Sequence, residues 1–132
     1  MAKITTVIED DLLTLTISGN ISAIELIGVV DAYYISGDIN DVIWDLTDGS
    51  LQSIPIDEFE KIANAAKLAT LVGTRKGGKT AFIGNTATEY TMIRFYTVIA
   101  ELSGVPIEYK VFRTLEDAKC WIGKNTLEAH QL

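Results

Sequence analysis

The sequence predicts a single α/β domain built on a mixed, mostly parallel β-sheet, with an N-terminal hairpin and four helices. Three observations lead there. Short runs rich in β-branched residues alternate with longer segments whose apolar residues recur at helical spacing. Serine or threonine caps and glycine stops mark the junctions between them. The 132 residues, 48% hydrophobic and 22% charged, suffice for one packed core but not for two.

Lys3–Glu9 and Leu12–Ser18 are rich in threonine and β-branched residues and flank the turn-forming pair Asp10-Asp11, so they read as a hairpin. In the second strand Leu13, Leu15 and Ile17 give one fully apolar face, and Gly19 and Asn20 end it. Ser22 and Glu25 have capping-box spacing, which predicts a helix whose stripe is Ala23, Leu26, Ile27, Val30, Tyr33 and Tyr34, stopping at Gly37. Ile24, Val29 and Ala32 lie off that stripe. This surplus reads as a broad contact within the core.

Val42–Leu46 reads as a central strand, followed by a polar loop through Thr47, Asp48 and Gly49. Pro55, Asp57 and Glu58 suit a helix start; Phe59, Ile62, Ala63, Ala66 and Ala69 form its stripe, and Gly73 closes it. Thr80–Gly84 is a further buried strand. Thr86 and Glu89 repeat the capping-box spacing before a third helix, with the stripe Met92, Phe95, Tyr96, Ile99 and Leu102. Ile107–Phe112 alternates as a half-exposed strand. Thr114 caps a last helix with Leu115, Ala118, Trp121 and Ile122 on one face and Gly123 at its end. The expected organisation is a domain over 1–123 and a frayed tail over 124–132.

Composition excludes several functions. A net charge of −7, from 18 acidic and 11 basic residues, disfavours binding to nucleic acid backbones. One cysteine excludes an intramolecular disulfide, and one histidine, His130 in the tail, excludes histidine-rich metal sites. Cys120 reads as a small residue packed in or near the core. No catalytic constellation, metal site or cofactor is expected. Neither a signal peptide nor an apolar run of about 20 residues is present, so a cytoplasmic location is the expectation.

Three groups of residues are candidate sites. Gly73, Gly78, Lys79 and Thr80 match G-x-x-x-x-G-K-[ST], yet a phosphate-binding loop follows a strand and opens a helix, whereas this segment follows a helix and enters a strand. Arg75, Lys76 and Lys79 are nonetheless the only clustered positive charge, a candidate anion patch. The loop with Thr47, Asp48, Ser50 and Ser53 leaves the C-terminal end of a central strand, the edge where open α/β sheets collect ligands. Ser50 or Ser53 could carry a phosphate there, or Ser53 could support the helix start while Asp48-Gly49 forms a turn. Asp45, ending an apolar strand, is expected to hold this loop through backbone N–H groups. An apolar pocket between the first and third helices and the sheet, lined by Tyr33, Trp44, Tyr90 and Phe95, is the alternative.

The segments VIWDLTDGS, FEKIANAAKLA, KTAFIG and VFRTLEDAKCWIG, in this order, resemble the STAS superfamily of anti-sigma-factor antagonists and sulfate-transporter tails, and in particular its SpoIIAA-like branch. The resemblance runs over about residues 3 to 123. It implies a sheet covered mainly on one side by helices, and a non-enzymatic bacterial regulatory domain that binds a protein partner. In phosphorylation-switched members a serine at the start of the helix after the central strand is modified, usually in a D-S-x-G-like motif. Ser53 stands near that place but lacks the preceding Asp and the following Gly, which suits the SpoIIAA-like branch. That branch is also similar to lipid-binding domains of phosphatidylinositol-transfer proteins, which implies an apolar small molecule or lipid as the alternative ligand. A homodimer through an exposed edge strand or helix face is a further expectation.

Overall fold

The computed structural model of the protein describes residues 2–34, 39–72 and 78–123. The elements are β1 (Lys3–Glu9), β2 (Leu12–Asn20), α1 (Ala23–Tyr34), β3 (Asp41–Ser50), α2 (Ile56–Val72), β4 (Lys79–Gly84), α3 (Ala87–Leu102), β5 (Glu108–Phe112) and α4 (Leu115–Ile122). The expected stops at Gly37 and Gly73, and the tail, lie outside the described residues.

The five strands form one sheet in the order β1-β2-β3-β4-β5. β1 and β2 are antiparallel and joined at Asp10, which takes the left-handed conformation that aspartate tolerates better than bulkier residues. All later neighbours are parallel. Because strand order follows chain order, successive right-handed crossovers place α1, α2 and α3 on one face. α4 follows the last strand and covers the other face.

Two cores result. The larger packs Leu13, Leu15, Ile17, Val42, Trp44, Leu46 and Phe82 of the sheet against Leu26 and Val30 of α1, Phe59, Ile62 and Ala66 of α2, and Ile93, Tyr96 and Ala100 of α3. The smaller packs Leu12, Ile43, Ala81 and Ile83 beneath Ala118 and Ile122 of α4. Period-2 alternation along β2, β3 and β4 sorts neighbouring residues between these two cores.

The capping box of α1 closes reciprocally: Ser22 N–H donates to Glu25 Oε1 at 3.0 Å, and Glu25 N–H donates to Ser22 Oγ at 3.1 Å. Donation from the Ser22 N–H is the main cause holding the Glu25 carboxyl below its ordinary pKa. The stripe predicted for α2 is buried in full. In α1, Ala23, Leu26 and Val30 are buried, while Ile24 points outward.

Four expectations are corrected. β3 does not stop at Leu46 but continues to Ser50, pairing Asp48, Gly49 and Ser50 with Ser18, Gly19 and Asn20. Asp48-Gly49 is therefore strand and not a turn. The α3 stripe is rotated: Glu89, Ile93, Tyr96, Thr97 and Ala100 are buried, whereas Phe95 and Leu102 are exposed. Apolar residues surround this helix, and the close approach to sheet and α2 selects the smaller Thr97 and Ala100 for the contact. Cys120 is exposed, because Ala118 and Ile122 take the inward positions of α4.

Phe59 is fully buried and meets the rings of Phe95 and Tyr96 edge-on, with centroids 6.4 and 5.8 Å away. Phe59→Ala is expected to cost about 3–5 kcal/mol in chemical denaturation; a cost below about 1 kcal/mol would show that the α2–α3 core does not depend on this ring.

Candidate functional site

The C-terminal edge of the four parallel strands gathers the ends of β3 and β4, the connection to α2 and the first turn of α3. Two sequence features shape it. Between Thr16–Asp45 and Ser18–Asp48 the β2–β3 register slips, leaving one extra residue on β3. Such a bulge bends a strand and re-aims the residues after it. Asp45 staples it: its Oδ1 accepts from Thr47 N–H at 3.0 Å and from the Thr47 hydroxyl at 2.6 Å. Asp45 thus holds the following segment through a backbone N–H, and its hydrogen bonds explain a half-buried carboxylate at the end of an apolar run.

The second feature is Gly84, which ends β4. A Cβ there would come within 3.1 Å of Tyr90 N and of the Ile93 side chain. Its absence lets the first turn of α3 settle against the sheet. Thr86 caps that turn, accepting from Glu89 N–H at 3.1 Å. The Glu89 carboxylate reaches across to the segment after β3. Its Oε1 accepts from the Ser50 hydroxyl at 2.5 Å and from Gln52 Nε2 at 3.1 Å, and its Oε2 accepts from Leu51 N–H at 3.1 Å. Ser50 Oγ in turn accepts from Gln52 N–H at 3.0 Å. Glu89 is only 4% exposed, so a buried charge is compensated by three donors, and the loop by one carboxylate.

This anchoring fixes Ser50 inward and leaves Thr47, Asp48, Gln52 and Ser53 exposed. Ser53 lies in the turn closed by Ile54 N–H to Leu51 O at 3.0 Å, ahead of α2. Exposed Ile56 and Asp57 follow it at the start of that helix. Sequence reasoning placed the loop here but missed Glu89 as its anchor. The capping-box spacing was the available signal, and it named a different partner for the carboxylate.

The residues proposed for an apolar pocket do not converge. Trp44 lines a void with Leu26, Val30, Phe59, Phe82, Tyr96 and others, of about 10 Å³, room for one water molecule at most. Ligand pockets are typically roughly 300–1,000 Å³. Tyr33 donates its hydroxyl to Thr6 Oγ1 at 3.3 Å, Tyr90 lies under the Arg113 guanidinium at 4.9 Å, and Phe95 is exposed on α3 while its ring meets Phe59 edge-on.

Of the anion patch, Arg75 and Lys76 lie outside the described residues. Lys79 begins a strand, and its Nζ donates to Trp121 O at 3.0 Å and sits 5.1 Å from the Trp121 ring centre, tying β4 to the end of α4. Its backbone N–H donates to Asp41 Oδ1 at 2.9 Å. The edge strand β1 exposes Val7 and Ile8, the surface to which the expectation of self-association refers. Among the described residues no group of His, Cys, Asp and Glu could hold a metal ion, and no helix is long and apolar enough to cross a membrane.

No family model and no curated protein matches the sequence. Solved structures do match. An anti-sigma factor antagonist from Mycobacterium paratuberculosis superposes with a TM-score of 0.53 at 16% identity, over 92% of this chain and 94% of that one. An uncharacterised protein of the DUF3478 family from Shewanella loihica, described as having a SpoIIAA-like fold, gives 0.52 at 19% identity, over 92% and 93%. The protein therefore has a SpoIIAA-like α/β fold.

Lys79→Ala is expected to lower stability by about 1–2 kcal/mol through loss of its contacts with Trp121. Calorimetric titration of the unaltered protein with a nucleoside triphosphate is expected to show no saturable heat, and saturable binding that disappears in Lys79→Ala would reinstate the phosphate-loop reading.

Proposed function

We propose that the protein is a non-enzymatic regulatory domain that binds a protein partner through the segment from Thr47 to Ser53 and the adjoining first turn of α2. The observation that carries this reading is the anchored loop. A buried carboxylate holds residues 50–52 in one shape, so the exposed side chains beside them are presented with little entropy left to lose on binding. The surface is polar and acidic at Asp48 and Asp57, with Ile56 as an apolar contact, which suits a partner patch carrying basic residues around an apolar centre.

The likeness in fold to an anti-sigma factor antagonist supports a regulatory role. Of the two serines, Ser53 is the candidate phosphoacceptor, because its side chain is exposed while the Ser50 hydroxyl is committed to Glu89. Phosphate on Ser53 would add charge in the middle of the docking surface and alter its partner. The small void gives the apolar-ligand reading no comparable support.

A photo-crosslinking residue placed at position 53 in cells is expected to capture one discrete protein, and Asp48→Lys in the same chain to abolish that capture. The same residue at the exposed position 110 on β5 is the control. Equal capture from both positions, or from neither, would contradict the docking surface.

A further inference from the structure

The contacts around Glu89 form a one-sided set. Ser50 Oγ–H, Leu51 N–H and Gln52 Nε2–H all donate, and all converge on two carboxylate oxygens. The hydroxyl has a single proton. Because Gln52 N–H already donates to Ser50 Oγ, that proton is free to point at Glu89. As arranged, all three groups turn a donor toward the Glu89 head group, although Ser50 Oγ keeps a second lone pair and the Gln52 amide carries an acceptor oxygen. An amide in place of Glu89 would have one acceptor oxygen for three donors, so the Ser50 hydroxyl or the Gln52 amide would have to turn to meet its N–H. The turn as arranged therefore fits a carboxylate better than an amide of the same size.

The contact also joins distant parts of the chain. Ser50 and Glu89 are 39 residues apart, and each belongs to a different rigid element, the end of β3 and the first turn of α3. Between Ser50 and the start of α2 the chain has one backbone hydrogen bond of its own, Ile54 N–H to Leu51 O, among the described residues. Ser50 O also accepts from Ile21 N–H at 3.1 Å, and the Leu51 and Ile54 side chains are buried in the core; the carboxylate adds to these the polar anchor of residues 50–52.

We infer that the Ser50–Gln52 turn is a carboxylate receptor built into the fold, that Glu89 is its tethered ligand, and that withdrawing this ligand turns residues 50–53 from a fixed into a mobile segment. Glu89 is then a latch on the surface to which docking was assigned above. The consequence for partner binding rests on that assignment, but the latch itself is a property of the free protein and is tested there.

Amide hydrogen exchange followed by NMR separates the cases. In Glu89→Ala and Glu89→Gln the Leu51 amide is expected to exchange at least tenfold faster than in the unaltered protein, with the amides of Ala81 and Ile83 in β4 unchanged. Sodium formate is expected to restore slow exchange in Glu89→Ala, where space has been opened, and not in Glu89→Gln, where the side chain fills it; sodium chloride at equal ionic strength is the control. Unchanged Leu51 exchange, wild-type behaviour of Glu89→Gln, or a formate effect no larger than that of chloride overturns the inference. Where Glu89→Ala does not fold, Gln52→Ala removes one side-chain donor to Glu89 alone: faster Leu51 exchange supports the latch and unchanged exchange overturns it. Failure of the crosslinking experiment with exchange as expected would remove the docking surface and leave the latch standing.

Discussion

One buried carboxylate holds the loop at the C-terminal edge of the parallel strands. Three donors meet the buried Glu89 carboxylate, and it in turn ties those donors to the first turn of α3. Much of the surrounding architecture serves to bring the two sides together. Parallel pairing of β3 and β4 sets their C-terminal ends side by side. Gly84 lets α3 approach closely enough for its first turn to overhang that edge. The bulge stapled by Asp45 shifts the last residues of β3 by one position against β2.

The same short motif is used in two ways in one chain, which shows why tertiary context decides its role. Ser22 and Glu25 satisfy each other within α1. Thr86 and Glu89 have identical spacing, and the threonine again accepts the N–H three residues on, but the glutamate leaves its own helix for a neighbouring loop. The difference lies in what surrounds each cap. The first helix starts at a half-exposed position, and the third starts against a loop whose donors at Ser50, Leu51 and Gln52 meet the glutamate.

The elements legible in the sequence were those in which local chemistry and packing agree. The hairpin, the capping box of α1 and the small-residue stripe of α2 are such cases, and each follows from periodicity or turn chemistry. Thr47–Ser50 was not legible, because polar residues that look like a loop continue a ladder whose partner, Ser18–Asn20, is equally polar. The inward face of α3 was not legible either. Apolar residues on several sides of that helix permit more than one stripe, and only the neighbouring strands and α2 choose between them. That the polar segment after β3 lies at the C-terminal edge of the parallel strands was readable from the order of strands and helices. Its anchor was not, because Glu89 lies 39 residues from the serine it holds.

We read the anchored polar loop as a surface held for presentation by a buried carboxylate. That account stands or falls on whether Glu89 and Ser50 are energetically coupled. A double-mutant cycle with Ser50→Ala, Glu89→Ala and the double variant, followed by urea denaturation, measures that coupling directly. The expected result is a coupling of at least about 1 kcal/mol, in the range of hydrogen bonds to charged groups. Strictly additive losses from the two substitutions would show that the contact does not hold the loop and would contradict the account.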